Sequence, residues 1–419
     1  MSHYLKKEHQ TIFNTAVIVA ALGYFVDIYD LLLFSIIRIP SLTEVLHLSS
    51  YSKEAASVIL ETAGASVITW QMIGLLIGGV IWGILGDKKG RLSVLFGSIL
   101  LYSLANIANG MVHTVEQYKI IRFIAGIGLA GELGAGITLV SELIHKSKRG
   151  VATSLVAGIG LTGAVVAFFF KQMFDWRTCY FIGGGMGLLL LVLRISVFES
   201  SMYHSDKMTN VSKGNIFLFF NNVDRFRRYA MNVLIGLPTW LCIGVLVTFS
   251  KEFGEKLGIE GIDPGLSIMT AYAAISIGDV LIGLISQQFQ SRKKALYLYL
   301  LFTLLFIGLY FIPVINHSTF SMYWICAGIG FGTGYWAIFV TMAAEQFGTN
   351  LRATATTTIP NVVRGMLAIF ILPLFECLKN YMTYLQAGLT TSGIVMVLAF
   401  IAVYFADETF GKDLDYVEN

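Results

Sequence analysis

Six ionisable side chains well inside long apolar runs of this sequence are the candidates for chemistry, because a charge is costly there. A charged group at the centre of a bilayer costs at least about 2.5–3.5 kcal/mol, so it is retained mainly where it faces a cavity or a partner. Asp27 and Asp30 are three residues apart in one run and therefore share a helix face. Two carboxylates this close do not both ionise readily, and one of them can carry a proton. The six residues are Asp27, Asp30, Arg122, Glu132, Asp279 and Arg364.

Two arginines offer chemistry that complements the aspartates. An arginine beside Asp27 and Asp30 favours their ionised form, and its withdrawal favours protonation; Arg122 is the candidate. Arg364 lies well inside its own run, where a guanidinium can bind a carboxylate or phosphate through two parallel hydrogen bonds. The alternative for Arg122 is a structural ion pair without proton traffic. The alternative for Arg364 is pairing with Asp279 or with a backbone carbonyl.

Four further residues are candidates for lining a substrate site. Glu132 follows Arg122 by ten residues, roughly 15 Å along a helix, so we expect it to line the outer half of a cavity rather than to pair with Arg122. Asp279 either lines the site or belongs to a row of packed glycines. Tyr29 and Trp336 are the aromatic candidates, although most membrane tyrosines and tryptophans serve packing or the interface.

The composition places these residues on membrane-spanning helices. The 419 residues are 56% hydrophobic and 13% charged, with a mean hydropathy of +0.72, whereas soluble proteins average about 25% charged residues. This excludes a cytosolic globule and a nucleic-acid-binding surface. No nucleophile–base pair or metal-ligand set occurs at a recognisable spacing, so no enzyme, cofactor or metal site is expected. About 20 apolar residues cross a bilayer, and twelve runs qualify: 12–37, 62–86, 92–111, 116–144, 150–173, 177–198, 229–252, 266–289, 294–315, 318–346, 352–377 and 384–406.

Lysine and arginine predict the orientation of these spans. With the N-terminus in the cytoplasm, the cytoplasmic segments hold more than twice as many of these residues as the outer loops, which satisfies the positive-inside rule. One long polar segment, 199–228, divides the chain. The predicted domains are therefore a first bundle (1–198), a cytoplasmic linker (199–228) and a second bundle with a short cytoplasmic tail (229–419).

The two halves carry an internal repeat. The spacing from Gly131 to Glu142 recurs from Gly334 to Glu345. The segment "GGVIWGILGDKKGR" aligns with "GDVLIGLISQQFQSR" in the second half, so that Gly83 matches Gly283. A repeat of six spans within twelve is typical of transporters whose halves rock about a central site.

Several motifs resemble the major facilitator superfamily. Gly83, Asp87, Gly90 and Arg91 match its loop signature G-x-x-x-D-x-x-G-R. The segments "RFIAGIGLAGELGAG" and "DETFGKDLDYVE" resemble the fourth span and the C-terminal motif of its sugar porters and metabolite:proton symporters, and "DIYDLLLF" resembles the first-span signature of the latter. The resemblance implies an all-α membrane protein with twelve transmembrane helices in two pseudo-symmetric six-helix bundles.

The resemblance also assigns roles to residues. In the sugar porters a first-span aspartate faces a fourth-span arginine and binds the proton, and Asp30 and Arg122 match those positions. Asp27 is the second proton candidate. A cytoplasmic gate is expected at the ends of spans 2 to 5, with a weaker counterpart in the second half; a topology signal with ordinary surface charge is the alternative. The gate residues are Gly83, Asp87, Gly90, Arg91, Glu142, Arg149, Glu345 and Arg352.

Together these features predict a proton-coupled symporter of a small organic solute that works by alternating access. Charged residues in the spans favour an organic anion or a zwitterion, and span 7 lacks the paired glutamines of sugar porters. An exporter or antiporter and an uncoupled facilitator of the same fold are the alternatives. The resemblance implies a monomer in a bacterial inner membrane, and the lysine and arginine bias with twelve spans predicts that both termini are cytoplasmic. The expected partners are the bilayer, protons and a small-molecule substrate, without nucleic acid.

Overall fold

The computed structural model describes residues 15–144, 148–199, 216–412 and 417. Within these ranges, eleven helices are long and apolar enough to cross a membrane. The shorter helix Arg91–Asn109 takes the place of the third predicted span, packed between the fourth and sixth. The described part of the chain thus follows the twelve-span order that the hydropathy predicts.

The helix bounds are as follows. Spans 1 to 6 are Thr15–Val45, Lys53–Lys89, Arg91–Asn109, Val115–Leu129 with Glu132–Leu143, Arg149–Leu161 with Gly163–Met173, and Trp176–Glu199. Spans 7 to 12 are Val223–Leu241 with Cys242–Val247 and Ser250–Leu257, Pro264–Phe289, Arg292–Tyr310, Thr319–Thr333 with Trp336–Gln346, Arg352–Met366 with Leu367–Ile371 and Leu372–Lys379, and Tyr384–Phe405. Two short 3₁₀ turns occupy Leu48–Ser50 and Ile216–Phe219.

Three predicted boundaries are wrong because polar residues continue the helices beyond their apolar runs. Span 1 reaches Val45 instead of residue 37, and span 2 begins at Lys53 instead of 62. The side chain of Ser52 caps span 2 by accepting a hydrogen bond from the amide of Ala55. Span 7 begins at Val223, inside the predicted linker. Residues 200–215 of that linker lie outside the described residues.

Spans 4 and 10 are each interrupted near the middle, at equivalent positions of the repeat. A break inside a membrane leaves backbone groups that protein side chains must satisfy. Asn361 Nδ2 donates to the carbonyl of Ala130 at the first break (2.7 Å), and Asp279 Oδ1 accepts from the amide of Ala337 at the second (2.9 Å). The first break is therefore stabilised from the opposite half, and the second from within its own half.

The halves pack against each other mainly through span 2 with span 11 and span 5 with span 8, which are equivalent pairs in the repeat. Glycine permits the close approach in both. A Cβ on Gly83 would lie 3.2 Å from Thr354 Cα, and one on Gly283 would lie 2.6 Å from Ser154 Oγ. One cluster of buried apolar side chains runs through both halves.

Candidate functional site

Asp27 occupies the middle of span 1 and faces the second half. Its side chain is fully buried, and neither carboxylate oxygen has a hydrogen-bond partner among the described residues. The charged group that acts on it most strongly is Arg364 of span 11, followed by Glu132 and Arg194 of its own half. Asp27 and Arg364 thus oppose each other across the interface between the halves.

Arg364 is buried but makes few bonds. Its Nη1 donates to Asn361 Oδ1 at 3.3 Å, and its Nε has no partner in the described part of the chain. The guanidinium carbon lies 5.8 Å from the ring centroid of Trp240 and 5.8 Å from that of Trp336. The indole Nε1 of Trp336 is also buried without an acceptor there. The ion pair with Asp279 that the sequence left open is not found among the described residues, so Arg364 retains donors for a ligand.

Arg122 does approach Asp30, but through the backbone. Its Nη2 donates to the carbonyl of Asp30 at 3.0 Å, while Nε donates to Gln71 at 3.2 Å and Nη1 to Asn106 at 3.4 Å. Arg122, Asp27 and Asn106 are near enough to act electrostatically on the Asp30 carboxylate. Neither carboxylate oxygen is in hydrogen-bonding geometry with a described residue. Arg122 therefore binds the backbone of Asp30 and does not form a salt bridge with its carboxylate.

Two other predicted site residues serve the scaffold. The hydroxyl of Tyr29 donates to the carbonyl of Cys179 in span 6 at 2.9 Å, which ties span 1 to its own bundle and turns this side chain away from Arg364. Asp279 caps the second segment of span 10, as described above, and only its Oδ2 lacks a partner among the described residues. Both side chains therefore hold the scaffold together, and their roles in substrate binding stay a prediction.

Glu132 is paired, and its expected position is wrong. It forms a two-fold ion pair with Arg194 of span 6, with one Nη1–Oε2 distance of 2.9 Å, and both side chains are buried. Arg194 also reaches the carbonyl of Val19 at 3.4 Å. Glu132 therefore lies level with the beginning of span 1, the half predicted to be cytoplasmic, instead of the outer half. Span 4 begins at the end of the molecule opposite the start of span 1. Residues late in span 4, such as Glu132, therefore lie towards the end where span 1 begins.

At the end of the molecule where span 1 begins, hereafter the inner end, Asp87 binds the start of span 11. Its carboxylate accepts from the amides of Ala353 (3.2 Å) and Thr354 (2.9 Å) and from Thr354 Oγ1 (2.5 Å). A negative charge is favoured at a helix N-terminus, where backbone N–H groups are free. Gly90 follows with φ of +91°, a conformation that favours glycine. This explains two positions of the loop signature.

Two threonine pairs join the halves at the same end. Thr138 bonds Thr356 (2.6 Å) and Thr153 bonds Thr341 (2.9 Å) through their hydroxyls. The two pairs are equivalent in the internal repeat, because Thr138 corresponds to Thr341 and Thr153 corresponds to Thr356. Among the described residues, these two neutral, repeat-related pairs and the carboxylate of Asp87 hold the inner end together.

Among the described residues, the partners of the counterpart expected in the second half lie within that half. Glu345 pairs with Arg292 (3.1 Å) and accepts from Thr409 (2.8 Å), and Arg352 Nε donates to the carbonyl of Ala344 (3.2 Å). The side chains of Arg91, Glu142 and Arg149, which also belong to the predicted gate, lie outside the described residues.

Three ion pairs join the halves at the opposite, outer end. Arg38 of span 1 binds Glu252 of span 7 at 2.8 Å, and both are largely buried. Two more exposed pairs link the remaining edges, one between spans 5 and 8 and one between spans 11 and 2. They are Lys171–Asp263 at 2.7 Å and Lys379–Glu61 at 3.1 Å. Both ends of the interface are therefore closed, and the structure is occluded.

Comparison with known proteins identifies the family and the fold of this chain. The family model described as Major Facilitator Superfamily matches residues 20–373. The chain belongs to the major facilitator superfamily. The niacin transporter NiaP of Acinetobacter baylyi is 26% identical over 84% of this chain and 87% of its own length. The sialic acid transporter NanX of Escherichia coli is 25% identical over 92% and 90%. The solved proton:xylose symporter XylE has the same fold, with a TM-score of 0.72 at 18% identity over 96% of this chain and 97% of its own.

Membership of the superfamily confirms the predicted fold class, two six-helix bundles with twelve transmembrane helices, and the prediction of a multi-pass transporter rather than an enzyme. In this major facilitator chain, the described residues contain no cluster of three or more histidine, cysteine or carboxylate side chains that could hold a metal ion.

Sequence reasoning missed three buried charged residues of this major facilitator protein. Arg194 lies inside the predicted sixth span and could have been found with the other in-span charges. Arg38 falls just outside the predicted first span, whose apolar run ends at residue 37, whereas the helix continues to Val45. Glu252 stands at the predicted end of span 7, and only the approach of spans 1 and 7 reveals its partner.

Proposed function

We propose that this protein is a proton-coupled symporter of a small organic anion or zwitterion. One observation carries the proposal: Asp27 and Arg364, from opposite halves, are both buried and near enough for their charges to interact, while each has hydrogen-bonding atoms without a partner among the described residues. Relatives in the superfamily are named for different solutes, so the substrate class is inferred from these two side chains.

The opposite charges of Asp27 and Arg364 couple proton binding to substrate binding. While Asp27 is ionised it compensates Arg364, and an anionic substrate has to compete with it. Protonation of Asp27 leaves the guanidinium uncompensated, which is costly in a buried site, until a substrate carboxylate binds. Proton and anion therefore bind together. Asp30, beside Arg122, is the second proton-binding candidate in this scheme.

Alternating access follows from the two closed ends. Opening the outer end requires separation of the three ion pairs, and opening the inner end requires separation of Asp87 and the threonine pairs. We propose that the halves rock about the Asp27–Arg364 centre so that only one end opens at a time. In this scheme Asp87 and its neighbours act as the cytoplasmic gate.

Proton flux into proteoliposomes that contain a pH-sensitive dye tests the function. Carboxylates, amino acids, betaines, sugars and sugar phosphates are added outside to wild type, Asp27→Asn and Asp30→Asn. Glu54→Gln, at an exposed helix end, is the matched control. We expect internal acidification with one anionic or zwitterionic class and its loss in Asp27→Asn. A labelled solute that equilibrates without proton movement would establish an uncoupled facilitator, and alkalinisation of the lumen would establish an antiporter.

We further propose that the protein works as a monomer in a bacterial inner membrane with both termini cytoplasmic. The excess of lysine and arginine at the inner end supports this orientation. Labelling of single cysteines at Lys89 and Lys256 with an impermeant thiol reagent in intact cells tests it. The label should reach position 256 and not position 89, and the reverse pattern would invert the topology.

A further inference from the structure

We infer that the central site binds a planar aromatic monocarboxylate, with the carboxylate on Arg364 and the ring beside Trp240 and Trp336. This inference rests on the proposed function, because it names the substrate class of the same site. It is carried by the side chains that surround the guanidinium, which come from both halves. Trp240 of span 7 and Trp336 of span 10 flank the guanidinium of Arg364, and Tyr24 and Asp27 of span 1 and Tyr272 of span 8 are near enough for Arg364 to act on them electrostatically.

The charges of the site fit a single negative group. Arg364 has one weak hydrogen bond, to Asn361, and presents a planar fork that matches a carboxylate through two parallel bonds. Asp27 is its charged counterpart in the opposite half. A ligand with two negative charges would leave one of them uncompensated beside Asp27, whereas a monocarboxylate replaces Asp27 in a one-for-one exchange.

The aromatic side chains fit a flat ring. Trp240 and Trp336 stand at equal distance from the guanidinium, 5.8 Å each, and both are buried. Aromatic pairs prefer offset or edge-to-face contacts at centroid separations of about 4.5–7 Å, so a ring attached to the bound carboxylate comes within reach of both indoles. A saturated ring of the same size has no π face to offer them.

Trp336 is positioned by the break in span 10. It is the first residue of the second helical segment, and Asp279 fixes that segment by accepting from the amide of Ala337. The indole Nε1 is buried without an acceptor in the described part of the chain. A ligand with a polar ring atom or ring substituent would supply that acceptor, so such a substituent on the ring should strengthen binding.

Binding to the purified protein in lipid nanodiscs tests the inference without transport. Benzoate is compared with cyclohexanecarboxylate, which keeps the carboxylate but not the flat ring, and with benzamide, which keeps the ring but not the charge. Calorimetry gives each dissociation constant. We expect benzoate to bind about tenfold more tightly than cyclohexanecarboxylate, as two aromatic contacts would provide, and benzamide to bind more weakly than either.

Variants then assign the preference to its residues. Trp240→Leu and Trp336→Leu should each reduce the ratio of benzoate to cyclohexanecarboxylate affinity, whereas Trp324→Leu, on the lipid-exposed surface, should leave it unchanged. Arg364→Lys should weaken both carboxylates. Equal binding of the two carboxylates by wild type would overturn the inference, and this comparison requires no variant to fold.

The inference and the proposed function fail separately. If benzoate binds with the expected preference but moves no protons in proteoliposomes, the aromatic site stands and symport is wrong. If a non-aromatic solute drives proton entry through Asp27 while benzoate does not bind, symport stands and the aromatic site is wrong.

Discussion

The two ends of the interface between the bundles are closed by different chemistry. Among the described residues, three ion pairs join the halves at the outer end, whereas two neutral threonine pairs and one carboxylate held by backbone amides join them at the inner end. Both closures follow the symmetry of the repeat. Lys171–Asp263 and Lys379–Glu61 occupy equivalent span pairs, as do the two threonine pairs. The repeat therefore dictates where contacts form, while the residue types decide how strongly each end is held.

This comparison shows how an occluded state is balanced. Ion pairs near water gain little because solvent competes for their charges, whereas a buried pair is costly to break. Hydroxyl pairs contribute modestly, about 1 kcal/mol each, and leave no charge behind when they separate. Spin labels attached to cysteines at pairs of positions in opposite halves measure how far each end is open. The distance between labels at positions 54 and 256 is the outer-end distance, and the distance between labels at positions 89 and 288 is the inner-end distance. These positions hold Glu54, Lys256, Lys89 and Gln288. All four side chains are exposed.

The largest effect is expected from Arg38→Gln. It leaves Glu252 buried without its cation, a change that costs about 3–5 kcal/mol. The outer-end distance should lengthen in most molecules, and transport should fall at least tenfold.

The matched control is Arg177→Gln, because Arg177 pairs with Glu44 within one bundle (3.1 Å) at the same end. Adding Glu252→Gln to Arg38→Gln should restore part of the closed population. An unchanged outer-end distance in Arg38→Gln would show that this pair does not hold the halves together.

Asp87→Asn should have the next largest effect, at the inner end. Asparagine removes the charge and one acceptor from a site with three donors, and charge-assisted hydrogen bonds contribute about 1.5–3 kcal/mol each. The inner-end distance should lengthen while the outer-end distance stays short. Asp407→Asn is the control, since Asp407 is half-exposed near the same end. If Asp407→Asn lengthens the distance as much, general surface charge and not this contact closes the inner end.

Thr138→Val and Thr341→Val test the symmetry of the inner end. Each removes one of the two repeat-related hydroxyl pairs, at a cost of about 1 kcal/mol. Both variants should shift the inner-end distance by the same amount. Thr303→Val should not shift it, because the hydroxyl of Thr303 bonds the carbonyl of Tyr299 in its own helix (2.9 Å) and no other described residue. Unequal shifts in the two test variants would mean that the closure is not symmetric.

Lys171→Gln and Lys379→Gln should have smaller effects that depend on salt. Partly exposed pairs contribute about 0.2–1 kcal/mol and are screened by ions. Raising the salt concentration should lengthen the outer-end distance of wild type slightly and leave the inner-end distance unchanged. The salt response should diminish in the double lysine variant. A salt response confined to the inner end would contradict the charge assignment.

The smallest effect concerns acid stability and Glu408, outside the spans. Partial burial raises the pKa of Glu408, but hydrogen bonds from Ser291 and from the amides of Arg292, Phe410 and Lys293 outweigh it and lower that pKa below 4.5. A lowered folded-state pKa contributes stability above the unfolded value, and this contribution is lost as the pH falls through the folded value.

Glu408→Gln should therefore reduce the fall in Tm below about pH 4.5, because the pH-dependent contribution is gone. Thermal unfolding of both forms from neutral to acidic pH checks this, with Glu376→Gln, half-exposed at the outer end, as the control. An identical acid-induced fall in wild type and Glu408→Gln would show that this carboxylate does not contribute.

The sequence predicted the elements well and the partners poorly. Hydropathy located the spans because each needs a long apolar run, and the loop signature located Asp87 because a carboxylate in the last turn of span 2 and a positive φ at Gly90 are local features. The same reasoning placed Glu132 in the wrong half of the cavity and ended span 1 before Arg38. Helix ends depend on capping residues such as Ser52, and burial depends on what packs alongside.

By itself, the sequence determined that this chain crosses a membrane in two related halves and that charged side chains occupy its interior. These properties follow from composition, periodicity and spacing, which are read along one chain. The tertiary structure alone decided which charges meet: Arg194 pairs with Glu132, Arg122 with the backbone of Asp30, and Arg364 stands among tryptophans opposite Asp27. Those partners lie on helices far apart in sequence, so only the packing of the two bundles brings them together.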